Sequence, residues 1–117
     1  MLKIYAYKNC STCKKAIQYL KAQDISFTEF AIRETPPSIE ELRFVLNRGG
    51  YELKKLFNVS GQDYRALNMK EKLPGLSEEE ALKLLSENGN LVKRPFVITE
   101  NTGLVGFKEE DWLKVIS

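Results

Sequence analysis

The sequence predicts an α/β protein, in which a mixed four-stranded sheet has helices packed on its faces and a helical region inserted between its two halves. Three observations lead to this prediction. The N-terminal part alternates between strand and helix periodicity, the middle carries apolar residues at helical spacing, and the C-terminal part has the pattern of a β-hairpin followed by a helix. The length of 117 residues suits one domain, which we assign to residues 1–117 with a helical insertion over about 36–92.

The first third of the chain predicts a βαβ unit. Residues 2–7 alternate as a strand does, and one face of that strand carries Leu2, Ile4 and Ala6. From Ser11 the period becomes helical, and a helix ending near Gln23 has an apolar stripe made of Cys13, Ala16, Ile17 and Leu20. A second strand is expected over 27–32. A strand, a helix and a strand within about 30 residues form a right-handed parallel unit.

The middle of the chain predicts short helices that are an insertion into the domain. Pro36-Pro37 interrupts the preceding strand, Gly49-Gly50 ends a helix, and Pro74-Gly75 makes a turn. Helix starts are expected where a serine is followed three residues later by an acidic residue, as in Ser38 with Glu41, Ser60 with Asp63, and Ser77 with Glu80.

The end of the chain returns to the sheet. Residues 95–99 and 104–107 read as a β-hairpin around a turn at 100–103. A closing helix from Glu109 is expected to present three apolar residues to the core, namely Trp112, Leu113 and Ile116. The order βαβ, helices, ββα is that of a thioredoxin-like protein of the glutaredoxin type.

Composition excludes several classes of function. Eighteen Lys and Arg against sixteen Asp and Glu give a formal charge of +2, spread along the chain, so we expect no direct contact with nucleic acid. No apolar run approaches the roughly 18 residues that span a membrane. No signal-peptide pattern is present, so we expect a cytoplasmic protein. The chain has no histidine, which rules out Cys–His catalysis and histidine-ligated metals within it.

The motif that carries chemistry is Cys10-Ser-Thr-Cys13, between the first strand and the first helix. Cys10 lies at the helix N-terminus, where unpaired backbone N–H groups favour a negative charge, and Lys14 and Lys15 follow one turn later. Cys13 continues the apolar stripe and is expected to face inward. Position therefore predicts that Cys10 attacks as a thiolate and that Cys13 resolves the mixed disulfide.

Two other interpretations of the cysteines stay open. The pair could form half of a zinc site, completed by carboxylates or by a second copy of the chain. The two cysteines could also simply pack in the core, as free cysteines often do. A CxxC between a strand and a helix, in a protein expected in the cytosol, favours redox chemistry over both.

Two arginines are further candidates. Arg94 precedes Pro95, which stands just before a predicted strand, where a cis bond is allowed. The alternative is a solvated arginine and a proline that starts an edge strand. Arg65 follows the predicted helix start at Ser60 and is either a surface charge or a ligand.

A set of motifs spread from Tyr5 to Trp112 resembles one known family. The motifs are Tyr7-Lys-Asn-Cys10-Ser-Thr-Cys13-Lys-Lys-Ala16, Pro36-Pro-Ser-x-Glu-Glu-Leu42, Leu56-Phe-Asn-x-Ser-Gly61, Tyr64-Arg65, Leu91-Val-Lys-Arg-Pro95 and Gly106-Phe-Lys-Glu-Glu110. Together they are similar to the arsenate reductase (ArsC) family and, within it, to the Spx-like branch. The resemblance implies a thioredoxin fold with an inserted helical region.

The resemblance also implies roles for individual residues. Cys10 is the nucleophile, Arg65 and Arg94 bind an oxyanion, and Pro95 is a cis-proline beside the active site. Guanidinium groups stabilise a thiolate and bind a tetrahedral anion through two nitrogens. The catalytic set implied is therefore Cys10, Cys13 and Arg94, and the anion-binding set is Arg65, Arg94 and Pro95.

The chain departs from both branches that it resembles. Glutaredoxin-coupled arsenate reductases carry a third arginine near the position of Lys108 and generally lack a partner equivalent to Cys13. Spx regulators share the CxxC but have a longer C-terminal tail. They contact RNA polymerase near the position of Gly49-Gly50, a pair that a helix stop also explains.

These observations predict a thiol–disulfide oxidoreductase, with arsenate reductase and an Spx-like redox-sensing regulator that binds RNA polymerase as the alternatives. The expected partner is a small thiol, an oxyanion or a redox partner protein. We expect no cofactor, because an external thiol such as glutathione or thioredoxin regenerates the dithiol. The protein is expected to be a monomer that binds no nucleic acid and no membrane.

Overall fold

The computed structural model describes residues 2–116 and contains a mixed four-stranded sheet. Its strands are β1 (Leu2–Ala6), β2 (Phe27–Ala31), β3 (Phe96–Ile98) and β4 (Gly103–Val105). They lie in the order β2-β1-β3-β4. Strand β1 pairs in parallel with β2 and antiparallel with β3, and β3 pairs antiparallel with β4. The predicted sheet is confirmed, and β1 and β3 are its central strands.

Helices cover both faces of this sheet. They are α1 (Ser11–Ala22), α2 (Ile39–Arg48), α3 (Gln62–Ala66), α4 (Met69–Lys72), α5 (Glu78–Glu87) and α6 (Glu109–Val115), with single 3₁₀ turns at Leu53–Leu56, Leu73–Gly75 and Gly89–Leu91. The segment between β2 and β3 is therefore helical up to Leu91. Val92 then forms an isolated β-bridge with Phe57, which ties the end of this segment to its middle.

The two faces of the sheet have separate cores. One core joins α1 and α6 to the sheet and includes Cys13, Ala16, Leu20, Val97 and Trp112. The other joins the helices between β2 and β3 to the opposite face and includes Tyr5, Leu42, Leu82, Leu85 and Phe96. Neighbouring residues of β1 and β3 point to opposite faces, as the pleat requires. Helices cover both faces, so Tyr5 on the second face of β1 is buried as well, whereas Lys3 on that face stays exposed.

Two of the three predicted helix starts are confirmed and one is wrong. Ser38 and Ser77 form complete capping boxes with the acidic residues three positions later. Ser60 is not an N-cap, because α3 starts one residue later, after Gly61, with no side-chain cap. The partner expected for Ser60 was Asp63, whose carboxylate instead accepts a hydrogen bond from Asn88 Nδ2 at 3.0 Å.

The closing helix and the hairpin differ from expectation in detail. Leu113 is 48% exposed, because a helix that turns Trp112 toward the sheet turns the next residue away. Tyr19, not singled out by the sequence pattern, is buried between α1 and α6, and its hydroxyl donates to the Ile116 carbonyl at 3.1 Å.

The hairpin strands are shorter than predicted, since Pro95 has no N–H to pair and Gly106 turns away with φ +72°.

We expect Gly89→Ala to destabilise the fold by about 1–3 kcal/mol, the usual cost of overpacking. Gly89 is buried, and an added Cβ would overlap the carbonyl oxygen of Ile32. The matched control is Gly75→Ala, because nothing lies within 4 Å of a Cβ added there. Urea unfolding followed by circular dichroism measures both variants. Equal midpoints for the two variants would contradict the close packing at Gly89.

Candidate thiol site

Cys10 occupies the N-terminal end of α1. It is the N-cap residue of that helix, and its Sγ accepts a hydrogen bond from the backbone amide of Cys13 at 3.3 Å. Its own amide donates to the Tyr7 carbonyl at 3.0 Å, which closes the turn between β1 and α1. The first turn of α1 contains no acidic residue. The half-buried Sγ therefore faces the positive end of the helix, where a thiolate is stabilised.

Cys13 lies in a different environment although it is only one turn away. Its side chain has no exposed surface and belongs to the core between α1 and the sheet. The pKa of the Cys13 thiol is raised to about 12, mainly because the thiol is buried. A backbone hydrogen bond at Tyr7 lowers this pKa, neighbouring Cys10 raises it, and the charge of Arg94 lowers it. Both cysteines are free thiols in the structure. The pair thus consists of one accessible sulfur and one buried, protonated sulfur.

Arg94 lies close enough to Cys13 for its charge to act on that thiol, and Pro95 follows it in the chain. The peptide bond between them is cis, as the resemblance implied, and Pro95 is buried directly before the central strand β3. The proline therefore does not start an edge strand. Arg94 Nη2 donates to the Asn90 carbonyl at 3.2 Å. Its guanidinium carbon lies 5.4 Å from the centre of the Tyr7 ring.

Tyr7 is a candidate site residue to which no role was assigned from the sequence, although it ends the predicted first strand and begins the motif that contains both cysteines. Two guanidinium groups lie close to its ring, with the Cζ of Arg33 at 4.9 Å and that of Arg94 at 5.4 Å from the ring centre. Its hydroxyl accepts hydrogen bonds from Asn9 Nδ2 at 3.1 Å and from Arg33 Nη1 at 2.9 Å. The hydrogen bond from Asn9 lowers the pKa of Tyr7, burial opposes it, and the hydrogen bond and charge of Arg33 lower the pKa further. Its place three residues before Cys10 is the signal that points to it.

Two clefts open on either side of Arg94. The first, of about 440 Å³, runs from Thr12 in the cysteine motif past Arg94 to Lys108 at the start of α6. The second, of about 370 Å³, is bounded by Tyr7, Arg94 and residues of the helical region. Arg94 borders both clefts, so it lies at the centre of the site.

Arg65 is exposed on α3, whose neighbouring residues Gly61 to Asp63 border the second cleft. Arg65 is not among the residues that line either of these two clefts. Its predicted role as an oxyanion ligand stays a prediction. Asp63 does connect α3 to the site, because its carboxylate accepts from Asn90 Nδ2 at 3.5 Å and the Asn90 carbonyl accepts from Arg94.

Within residues 2–116 no group of three or more His, Cys, Asp or Glu side chains is arranged to hold a metal ion. Over the same residues, no helix has the length and apolar character needed to cross a bilayer.

A mixed sheet with a CxxC at the start of its first helix and a cis-proline before its third strand defines a thioredoxin-like protein that carries a thiol pair. The chain belongs to the ArsC family, whose family model matches residues 5–115.

Relatives of the chain include both reductase-like and regulatory proteins. The uncharacterized protein YusI of Bacillus subtilis is 45% identical over 95% of this chain and 94% of its own length. The global transcriptional regulator Spx of Enterococcus faecalis is 32% identical over 95% of this chain and 83% of its own. The crystal structure of a possible arsenate reductase from Streptococcus mutans superposes with a TM-score of 0.87 at 41% identity, covering 95% of this chain and 96% of that one.

We expect the free energy of unfolding to fall as pH rises from about 9 toward 12. The pKa of Cys13 lies near 9 when the thiol is unperturbed and near 12 in the fold, so the folded state holds this proton more tightly and loses stability as the pH passes through that window. The pKa of Tyr5 is also raised, first by burial and then by its hydrogen bond to Glu41, which acts in the same direction.

Urea unfolding between pH 8 and 11 measures this effect. Cys13→Ala should give a shallower decline than the wild type, by at most about 1.4 kcal/mol per pH unit, the value for one proton. Cys10→Ser is the control, because it keeps the buried thiol and should keep most of the decline. Identical slopes for the wild type and Cys13→Ala would show that Cys13 titrates normally.

Proposed function

We propose that the protein is a thiol–disulfide oxidoreductase of the ArsC family, with Cys10 as the nucleophile and Cys13 as the resolving thiol. The observation that carries the proposal is the unequal pair, in which a half-exposed Cys10 Sγ caps α1 and a fully buried Cys13 lies one turn later. An attacking sulfur has to reach the substrate, whereas a resolving sulfur has only to reach the first sulfur.

In the first step the Cys10 thiolate attacks one sulfur of a substrate disulfide. The S–S bond of the substrate breaks, a mixed disulfide with Cys10 forms, and the other half of the substrate leaves as a thiolate that takes a proton from solvent. The Cys13 amide, which donates to Cys10 Sγ, and the N-terminus of α1 stabilise the thiolate before the attack.

In the second step Cys13 loses its proton to solvent and the resulting thiolate attacks Cys10 Sγ. Once Cys10 is in a mixed disulfide it can no longer carry a negative charge, so one of the influences that raise the pKa of Cys13 disappears. The charge of Arg94 favours the Cys13 thiolate. The Cys10–Cys13 disulfide forms and the second substrate thiolate is released. The dithiol has then given two electrons to the substrate, and an external thiol such as glutathione or thioredoxin restores it.

The other implied site residues receive roles in the same proposal. Arg94 stabilises the developing thiolates and faces anionic groups of the substrate, a role that its place between the clefts supports. Pro95 fixes the backbone that presents Arg94. Arg65 is proposed as an outer anion contact from α3. We propose a cytoplasmic monomer that acts without a bound cofactor.

A redox-sensing regulator that binds RNA polymerase is the second candidate function, and the identity to Spx favours it. The same thiol pair would then switch a binding surface when it oxidises. Capture by the C-terminal domain of the polymerase α-subunit, with reduced and oxidised protein compared, separates this candidate from an enzyme. Arsenate reductase is the third candidate. Lys108 offers a point charge where a third arginine is expected, which disfavours a bidentate grip on arsenate.

We expect Cys10→Ser and Cys13→Ser to fail in different ways. Without Cys10 no covalent adduct forms and turnover is abolished. Without Cys13 the mixed disulfide on Cys10 accumulates, because nothing inside the protein resolves it. Intact-protein mass spectrometry after mixing with a model disulfide measures both results. Adducts on Cys13 in the first variant, or no adduct in the second, would overturn the division of roles.

Arg94→Met is expected to slow the second step, because it removes a charge that lowers the pKa of Cys13. The decrease should be at most about tenfold, the effect of one pKa unit on the fraction of Cys13 thiolate. Arg94→Lys keeps the positive charge and should retain most of that rate. The measurement is the decay of the mixed disulfide in a single turnover. Arg48→Met is the control, since Arg48 is exposed on α2 and stacks on Phe44. Equal decay in the wild type and Arg94→Met would remove Arg94 from the resolving step.

A further inference from the structure

We propose that the substrate is an organic disulfide that carries at least two anionic groups, bound across the first cleft by Lys55, Lys93 and Lys108 beside Arg94. The inference rests on the proposed function and adds the substrate class and the residues that select it. The evidence lies in the charge of the cleft, its shape and its position relative to the thiol pair.

The charge of the first cleft is unbalanced. Four cationic side chains line it, and Asp111 is its only acidic lining residue. Among the ion pairs of residues 2–116, none includes any of the four cations, whereas Arg43 pairs with Glu78 and Glu79 elsewhere on the surface. Cations gathered in one concave site repel one another, and an anionic ligand removes that repulsion.

The cations reach the cleft from three separate parts of the chain. Lys55 comes from the 3₁₀ turn at Leu53–Leu56, Lys93 stands directly before Arg94, and Lys108 is the N-cap residue of α6. The fold therefore gathers positive charge at one place that no run of basic residues in the sequence marks. Their spread along the cleft suits anionic groups at different positions on one ligand.

The size and floor of the cleft indicate an organic ligand. Its volume of about 440 Å³ equals that of roughly fifteen water molecules at ~30 Å³ each, within the range of small-molecule sites. A single tetrahedral oxyanion would leave most of this space empty. Val105 and Phe107, which are partly exposed, contribute apolar surface, which contacts a carbon skeleton better than an inorganic ion does.

The cleft reaches the cysteine motif at Thr12, although neither cysteine lines it. Thr12, which lies between the two cysteines in sequence, and Arg94, whose charge lowers the pKa of Cys13, both line it. A ligand that fills the cleft therefore ends next to the cysteine motif. In the first step its S–S bond breaks as the bond to Cys10 forms, and the anionic thiolate that leaves stays among the cations before it takes a proton from solvent.

The experiment measures how fast Cys10 forms a mixed disulfide in the Cys13→Ser background. The dianionic probe is 5,5′-dithiobis(2-nitrobenzoate), and the neutral probe is 2,2′-dithiodipyridine. Each rate is divided by the rate of the same probe with N-acetylcysteinamide, a neutral free thiol. We expect a corrected dianion-to-neutral ratio of about ten or more at low salt, which falls strongly in about 0.5 M salt because the charges are screened.

Charge variants locate the source of this preference. The combined substitution Lys55→Gln, Lys93→Gln and Lys108→Gln should lower the ratio about tenfold. The matched control is Lys54→Gln, Lys83→Gln and Lys114→Gln, which removes the same net charge at exposed positions outside the cleft and should leave the ratio near its starting value. Circular dichroism checks that both combined variants are folded.

The outcomes separate the two proposals. If both probes react quickly but the cleft variant keeps the ratio, or the control variant lowers it equally, the polyanionic substrate class is wrong while the thiol chemistry stands. If Cys10 reacts with neither probe faster than N-acetylcysteinamide does, the proposed oxidoreductase function itself fails. A fall in the ratio confined to the cleft variant supports the inference.

Discussion

The rest of the structure depends on the junction between the end of β1 and the start of α1. Strand β1 is paired on both sides, and the Cys10 amide closes the turn that follows it by donating to the Tyr7 carbonyl at 3.0 Å. Helix α1 then has to bury one face on the sheet. These two constraints place Cys10 at the exposed end of the helix and Cys13, one turn later, in the core. The chemical difference between the two thiols therefore follows from one turn of helix.

The helical region between β2 and β3 does more than cover one face of the sheet. Asn88 and Asn90, after α5, both donate to the Asp63 carboxylate on α3, and the Asn90 carbonyl accepts a hydrogen bond from Arg94. Arg94 is thus held by the helical region on one side and by the Tyr7 ring on the other. Since Arg94 is joined through Pro95 to β3, the helical region and the sheet meet at the candidate site.

Sequence reasoning succeeded where a signal is local. The period change at Ser11 and the serine–glutamate capping boxes arise within one or two helical turns, so α1, α2 and α5 could be predicted closely. The helix start predicted at Ser60 was wrong because a capping pattern does not show which other partners an acidic side chain has. Asp63 instead accepts hydrogen bonds from asparagines that lie 25 and 27 residues away in the sequence. The predicted burial of Leu113 was wrong because α6 buries a narrower face than the apolar stripe read from the sequence, and Leu113 lies outside that face.

The candidate site shows the same division between local and distant signals. The cysteine pair and Arg94-Pro95 are visible in the sequence because each is a contiguous motif, whereas Lys55 joins them only through the fold. The gathered cations also give a reason for lysine, and not a third arginine, at position 108. An arginine fork suits two oxygens of one compact anion, while separate ammonium groups on flexible stems suit carboxylates spread over a larger ligand. Under the proposed function, the departure from the arsenate reductase pattern is a difference in the geometry of the substrate, with the proposed thiol chemistry retained.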